Sequence, residues 1–305
     1  MKKNSLLIEW LEHAVVSEKY GNELVQVASD MLEELISRLN KLITDNPYIS
    51  SKKIYKQILE EAEEILSEYE EKLNSLRKDH ILSVTDFESE WLVDYGLELN
   101  HNYTIPAGLI SSVLFFPKTD FEEFTSQEIN KIKNILSQSL KLAYITKQDT
   151  EVISEKLTKK TELFKRYQET DNRTMNTASF RAVDYMIFKA NKQKVVYSSV
   201  LDTNTCIICG EMNGKTFDIQ NAPEVPVHER CRCTLIPVEA VEDEDIRSYS
   251  EFIDSLSDAD KKFALGKTRF ELYEKGIKTS SFINSGEIIP VKELKEKYSN
   301  QLTSN

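Results

Sequence analysis

The chain has 305 residues, of which 40% are hydrophobic and 30% charged, with only 8 glycines, 7 prolines and a formal net charge of −12. This composition excludes fibrous and disordered classes, and the acidic balance argues against a general polyanion binder. No apolar run reaches the ~18–20 residues that span a membrane, and Glu9 comes too early for a signal peptide. We therefore expect a protein of the reducing cytoplasm with no membrane partner.

Residues 1–140 are predicted to form an acidic helical region. Apolar residues return at three- and four-residue steps in two stripes on either side of Asn46-Pro47. Residues 1–100 contain 21 acidic against 11 basic side chains. Because such helices bury one stripe against each other or against a partner, the stripes supply candidate docking residues. These are Leu24, Val27, Met31 and Leu35 in the first stripe, and Ile54, Ile58, Ile65 and Tyr69 in the second.

The helical pattern is interrupted after residue 100. Ile105-Pro106-Ala107-Gly108 predicts a turn, and the apolar run Leu109–Phe116 fits either a buried strand or the tip of an apolar hairpin. Ser126 is then predicted to cap a helix that reaches about Leu142.

Residues 141–194 form a basic helical segment, with 12 Lys and Arg against 7 Asp and Glu. Two helices are predicted, at about 150–168 and 174–191. Four side chains are candidate contacts for weak, non-specific DNA binding: Lys159, Lys160, Lys165 and Arg166. A solvated basic face that balances the acidic half explains the same pattern equally well.

Residues 195–238 are predicted to form a small β module. Val195–Leu201 is rich in β-branched and aromatic residues and predicts a strand, and Lys215–Phe217 is the expected return strand. Asn213-Gly214 between them suits a type I′ hairpin turn. One more short strand is expected at Cys233–Val238.

Residues 239–305 are predicted to contain an acidic linker and C-terminal helices. Residues 239–260 hold nine acids and one base, and Glu242–Asp245 is expected to be a solvated linker. A helix from Ser257 or Asp258 to about Glu274 should stop at Gly276, and a last helix at Val291–Tyr298. The whole chain is therefore predicted to be α+β and mostly α.

All four cysteines lie within 28 positions, in the pattern Cys206-x2-Cys209, then His228-x2-Cys231-x-Cys233. Such clustering in a cytoplasmic chain indicates a metal site. Zinc takes four nitrogen or sulfur donors in a tetrahedron, and the favoured set is Cys206, Cys209, His228 and Cys231. A second possibility replaces His228 or Cys231 with Cys233. Four protein donors leave no open position for water, so this zinc would be structural.

Two other interpretations of the cluster remain. The cysteines could be reduced, buried residues of a small β core, with His228 hydrogen-bonded to the backbone. A redox Cys-x2-Cys motif is disfavoured, because it should open a helix in a βαβ unit and here a hairpin is expected to follow.

The same residues resemble the signature of the phage head morphogenesis family, the minor head proteins typified by phage Mu protein F. The resemblance covers residues 176–238. It is carried by Asp202-x-Asn204-Thr205-Cys206-x2-Cys209-x3-Asn213-Gly214-Lys215-x-Phe217 and Pro226-x-His228-x2-Cys231-Arg232-Cys233-x3-Pro237. Asn213 stands where Asp is usual in the family, and the proline common beside the histidine is absent at Val227 and Glu229.

The resemblance implies a minor head protein of a tailed bacteriophage that associates with the portal during procapsid assembly in the host cytoplasm and resides inside the virion head. Contact with packaged DNA, or a role in packaging or ejection, is implied as well. The implied partners are the portal protein, the scaffold or major capsid protein, and packaged DNA. The resemblance implies no enzymatic activity. The alternative from another class is a metal-dependent nuclease or nucleotide-modifying enzyme, which is disfavoured because no carboxylate pair or second histidine adjoins the cluster. A DNA-reading zinc regulator is disfavoured by the acidic segment that follows.

Overall fold

The structure is a computed structural model that describes residues 4–99, 101–116, 120–241 and 246–303. It is mostly helical with a small antiparallel sheet, so the predicted α+β class is confirmed. Among these residues, none of the helices combines the length and apolar character needed to span a membrane.

The chain divides into two compact units. The helical unit comprises His13–Leu92 and Ile105–Met186, and the mixed unit comprises Met1–Glu12, Val93–Thr104 and Ile187–Asn305. Both units are assembled from separated segments of the chain. The boundaries predicted at residues 140, 194 and 238 mark changes in charge along the sequence. As domain boundaries they stay a prediction.

Five helices occupy the first 190 residues: α1 (Asn4–Thr44), α2 (Lys52–Glu98), α3 (Leu109–Leu114), α4 (Phe121–Thr146) and α5 (Glu151–Ala190). The two long N-terminal helices predicted from the apolar stripes are confirmed, although α2 continues well beyond its stripe. The prediction of a strand or hairpin at Leu109–Phe116 is wrong. Gly108 adopts a φ of 77° and α3 follows it, burying Leu109 and Val113 one turn apart.

The start of α4 and the continuity of α5 also differ from expectation. The cap of α4 is Asp120, whose side chain accepts a hydrogen bond from the Glu123 N–H, so the assignment of Ser126 as the cap is wrong. One 40-residue helix replaces the two predicted between residues 150 and 191. Gln168 and Asn172, at the predicted break, are buried within the helical unit.

The interior of the helical unit combines an aliphatic core with a buried polar network. Arg77, which is fully buried, donates to the Asn172 side chain at 2.8 Å and to Thr125 at 2.7 Å. Tyr69 donates to Glu128 at 2.5 Å. These bonds join α2, α4 and α5 and satisfy groups whose burial alone would be costly. The surrounding core includes Ala28, Leu32, Leu39, Ile58, Leu66, Leu73, Ile132, Leu136, Leu140, Leu157 and Phe164.

The mixed unit contains the sheet, which has strand order β2-β1-β3 and is antiparallel throughout. Its strands are β1 (Lys194–Ser198), β2 (Thr216–Asp218) and β3 (Thr234–Pro237), in the three places that the sequence predicted. Val195, Val196 and Tyr197 of the central strand are buried. The strands flank the segments that carry the cysteines, which lie between β1 and β2 and just before β3.

The connection from β1 to β2 is not the predicted tight hairpin. Helix α6 (Ile207–Met212) lies between the strands, and Asn213-Gly214 ends it. Asn213 has φ −55° and ψ 131°, Gly214 has φ 78°, and the Lys215 N–H donates to the Met212 carbonyl at 3.0 Å. This is a type II turn, in which only the second central residue needs positive φ. Asn213 keeps its negative φ while its side chain bonds the Ser199 N–H and the Arg247 carbonyl, at 2.8 and 2.9 Å.

The C-terminal part of the mixed unit is a set of short helices around its own apolar cluster. They are α7 (Val238–Val241), α8 (Tyr249–Asp254), α9 (Asp258–Leu265), α10 (Lys267–Glu274), α11 (Val291–Lys297) and α12 (Ser299–Thr303), with a hairpin of β4 (Ile283–Asn284) and β5 (Glu287–Ile288). The single helix predicted up to Glu274 is interrupted at Gly266, whose φ is 75° and ψ 156°. The last predicted helix is confirmed as α11, and the Glu242–Asp245 linker lies outside the described residues.

Candidate metal centre

The donors of the candidate metal centre come from two segments, the loop and first turn at the start of α6 and the loop that leads into β3. Cys206 is the N-cap of α6, and its sulfur accepts a hydrogen bond from the Cys209 N–H at 3.3 Å. The first turn of α6 therefore sets the spacing of the Cys-x2-Cys pair. On the second loop, the Cys231 N–H donates to the His228 carbonyl at 3.2 Å, which folds the His-x2-Cys segment back on itself.

The structure brings all five predicted donors into one cluster. His228 Nε2 lies 3.2 Å from Cys206 Sγ and 3.4 Å from Cys209 Sγ, and Cys209 Sγ lies 3.9 Å from Cys231 Sγ. Two groups of three have their donor atoms within 4.8 Å of one another: Cys206, Cys209 and His228, and Cys209, Cys231 and Cys233. Cys209 belongs to both groups and is their common member.

Two of these distances are close to those between donors around a tetrahedral zinc ion. Zn–S bonds of about 2.3 Å and Zn–N bonds of about 2.0–2.1 Å place neighbouring sulfurs ~3.8 Å apart and a sulfur and nitrogen ~3.5 Å apart. The Cys209–Cys231 and Cys209–His228 separations are close to these values. His228 Nδ1 lies 2.7 Å from the Glu229 carbonyl, so an Nδ1–H donor fixes the ring and directs Nε2 toward the sulfurs. The hydrogen bond to the backbone is thus compatible with metal ligation.

The choice among the five donors depends on burial as well as distance. Cys209, Cys231 and Cys233 are 2%, 1% and 4% exposed, whereas His228 is exposed and Cys206 is half-buried. The sulfur-only group therefore lies beneath the histidine-containing group. The favoured set and the set that includes Cys233 both use Cys209, but among the described residues only the two groups of three, and no set of four, have all their donor atoms within 4.8 Å of one another.

Mutual hydrogen bonding separates the pKa values of the four thiols. Hydrogen bonds with Cys209, and then with His228, lower the pKa of Cys206 to about 4. Hydrogen bonds with Cys209 and Cys233 lower the pKa of Cys231 to about 2, and the pKa of Cys209 itself is raised. The hydrogen bond with Cys206 raises the pKa of His228 to about 9. The cluster thus stabilises thiolate charge with its own protons, and a bound cation would take the place of those protons.

Groups next to the donors brace the two loops. Asp202 accepts from the Asn204 N–H at 2.9 Å and from the Arg232 guanidinium at 2.8 Å, so it ties the first loop to the residue between Cys231 and Cys233. Tyr197 of β1 donates to Cys209 Sγ at 3.4 Å. In the sequence, Asp202 and Arg232 stand out only as part of the family signature, and their opposite charges are the available signal of this contact.

Gly210 is packed against a residue far along the chain. A Cβ atom at this position would lie 2.2 Å from a ring carbon of Tyr249 in α8. The helix that follows Cys206 therefore requires glycine here for close packing. A short helix does begin at the Cys-x2-Cys motif, contrary to expectation, but its sheet is antiparallel and forms no βαβ unit, so the redox interpretation gains no support.

The predicted DNA contacts lie on one helix but differ in their surroundings. All four candidates lie on α5: Lys159, Lys160, Lys165 and Arg166. Lys159 is ion-paired with Glu155 at 3.3 Å, and Lys165 is ion-paired with Glu33. The other two are exposed. Half of the proposed phosphate contacts thus already have acidic partners within the chain.

The predicted docking stripe lies mostly inside the helical unit. Leu24 and Leu35 are each 2% exposed, and Met31 is half-buried. Val27 is 46% exposed and is the accessible member. These side chains of α1 pack inside the helical unit. Because Leu24 and Leu35 are buried there, they are not surface contacts for a partner.

Comparison with known proteins supports the resemblance. Residues 128–236 match the family model described as Phage Mu protein F like protein. The match begins within α4, continues through α5 and reaches β3, so it includes the whole candidate metal centre. The resemblance to the phage head morphogenesis family is thereby confirmed over about a third of the chain. The search of curated proteins and the search of solved structures gave no match.

Proposed function

We propose that this protein is a minor head protein of a tailed bacteriophage that associates with the portal during procapsid assembly. The family match over residues 128–236 carries the proposal, because it covers the metal centre together with the helix that leads into it. The protein would then reside inside the virion head, after assembly in the host cytoplasm.

The centre would hold a structural zinc ion. Its candidate donors are supplied by the first turn of α6 and by the loop that leads into β3, and the three-stranded sheet is too small to fix these segments by burial alone. The metal would stabilise the surface that the mixed unit presents to other head components, with the portal first and the scaffold or major capsid protein next. Weak, non-specific contact of α5 with packaged DNA remains a prediction.

No specific observation favours the nuclease alternative. Within the described part of the chain, the groups able to hold a metal contain only cysteine and His228. Catalytic metal sites in nucleases need carboxylates and an open coordination position. The donor set therefore supports a structural role for the metal better than a catalytic role in hydrolysis.

The test is the composition of assembling and mature heads. Mass spectrometry of purified procapsids and virions should detect the protein in low copy, and portal protein should co-purify with it from infected cells. Absence from both particles would overturn the proposal, and so would a nuclease turnover that His228→Ala abolishes.

A pair of matched variants tests docking on α1. Val27→Asp changes the accessible stripe residue, and Asn22→Asp adds the same charge at another exposed position of the helix. Reduced recovery of portal with Val27→Asp but not with Asn22→Asp, at equal helicity by circular dichroism, would place a partner contact at Val27. Equal recovery with both would exclude this residue from docking.

A further inference from the structure

The helical unit contains a group of buried ionisable side chains. The group is separate from the metal centre, whose residues belong to the mixed unit. His13 of α1 is 5% exposed, Glu88 of α2 is 0% exposed, and Arg181 and Asp184 of α5 are 5% and 0% exposed. The helix interior around them is aromatic. The imidazole of His13 stacks on Trp91, with ring centroids 3.6 Å apart and planes inclined by 3°.

The contacts in this group leave one oxygen of each carboxyl unsatisfied. His13 Nε2 lies 2.5 Å from Glu88 Oε2, and Arg181 is ion-paired with the Oδ2 atom of Asp184. Glu88 Oε1 and Asp184 Oδ1 have no hydrogen-bond partner within the described structure. Burial raises the pKa of Asp184 and the charge of Glu88 raises it further, so the two carboxyl groups are neighbours in this interior.

The charges of the group do not balance if both carboxyls are ionised. Arg181 supplies one permanent positive charge, while Glu88 and Asp184 would supply two negative charges. An uncompensated charge in a dry interior is costly, and two adjacent carboxylates repel each other. A single proton on either carboxyl removes the excess charge and also provides the donor that both unsatisfied oxygens lack.

We propose that Glu88 and Asp184 share one proton in the folded protein, and that the helical unit therefore loses stability as the pH rises from about 5 to 8. The shared proton stabilises the packing of α2 against α5, and this stabilisation depends on pH. It is independent of the metal centre and of the function proposed above.

The electrostatic surroundings agree with this assignment. Burial raises the pKa of Glu88 to about 7 and raises that of Asp184, and burial lowers the pKa of His13 to about 4. His13 is thus neutral at pH 7 and supplies no compensating charge. Among the described residues, ring contacts place Tyr20 of α1 and His80 of α2 near this group, and His80 Nε2 lies 2.9 Å from the Asn176 side chain.

The sign of the pH dependence follows from linkage. The unfolded chain releases the Glu88 proton near its ordinary pKa of 4.5, whereas the folded chain keeps it to about 7. Folding therefore takes up a proton between these values, and stability decreases as pH increases across them. Above the folded pKa the stabilising contribution is lost.

The experiment measures unfolding by urea between about pH 5 and pH 8, where folding should take up about one proton through this pair. A Trp10→Phe background leaves Trp91 as the one tryptophan of the chain, so its fluorescence reports on the helical unit. Glu88→Gln mimics the protonated form and should flatten the pH dependence, with higher stability than the parent above neutral pH. Glu60→Gln, on the exposed face of α2, is the matched control and should keep the parent's slope.

A spectroscopic readout keeps the proposal testable if a variant folds poorly. The infrared carbonyl band of a protonated carboxyl should be present in the folded parent at neutral pH and lost in Glu88→Gln. An unchanged slope in Glu88→Gln, or the same protonated-carboxyl signal in parent and variant, would overturn the shared proton.

Discussion

At the level of single residues, Cys209 is the central member of the candidate metal centre. Its sulfur lies 3.4 Å from His228 Nε2 and 3.9 Å from Cys231 Sγ, and it accepts a hydrogen bond from Tyr197. It is the residue shared by both groups of candidate metal donors. Cys233, in contrast, belongs only to the buried sulfur group.

This asymmetry predicts different outcomes for two equivalent substitutions. Cys209→Ser should abolish zinc binding, because every candidate set loses a ligand. Cys233→Ser should retain about one zinc per chain if Cys206, Cys209, His228 and Cys231 are the ligands, as structural sites use four donors. Elemental analysis of the purified proteins measures both. Retention of zinc by Cys209→Ser would refute the site as described, and loss in both variants would assign Cys233 as a ligand.

At the level of elements, the close packing of α6 on α8 connects the metal loops to the C-terminal helices. Ile207 of α6 belongs to the same apolar cluster as Tyr249, Phe252 and Leu272. Tyr249 also donates to the Thr205 carbonyl at 3.4 Å, next to Cys206. Order in the metal loops and order in the C-terminal helices should therefore depend on each other.

Gly210→Ala tests this connection with a single methyl group. Its Cβ would lie 2.2 Å from the Tyr249 ring, so the helices must move apart, at a cost of about 1–3 kcal/mol. Thermal unfolding should show the loss. In a Tyr249→Ala background the same change should cost little, because the obstructing ring is gone. Equal costs in both backgrounds would contradict the close packing of Gly210 on Tyr249.

At the scale of the whole molecule, the net charge of −12 and the pairing of basic residues oppose strong DNA binding. On α5 the ion pairs Glu155–Lys159 and Glu169–Arg173 are each four residues apart, at 3.3 and 3.0 Å. Such spacing places opposite charges on the same helix face. Lys160 and Arg166 are exposed and, unlike Lys159 and Lys165, have no ion pair described within the chain.

We expect the full chain to bind DNA weakly, at low salt only and without sequence preference. Lys160→Glu with Arg166→Glu should weaken binding to every sequence alike. Lys52→Glu with Lys53→Glu changes the charge equally at the exposed start of α2 and should have less effect. Fluorescence anisotropy against salt concentration measures both. If the chain fails to bind at low ionic strength, the basic residues of α5 are only a solvated, charge-paired surface.

Several features were determined by the sequence itself because local physics is sufficient for them. The apolar periodicity of residues 6–76 indicated the long helices α1 and α2, and β-branched residues indicated β1. The spacing of the four cysteines and His228 was enough to identify one cluster, because donors in two short loops have few ways to meet. The same motif carried the family resemblance that residues 128–236 confirm.

Tertiary structure decided the features in which distant segments override local preference. A break was predicted between residues 168 and 174, but Gln168 and Asn172 bond Tyr69 and Arg77 across the interior, so α5 continues through this stretch. Leu24 and Leu35 resembled a docking stripe and are instead core. Gly210 acquires its role only when Tyr249, 39 positions later in the sequence, packs on it. A pattern along one segment records which side chains avoid water, whereas the groups that cover them come from elsewhere in the chain and are fixed only by packing.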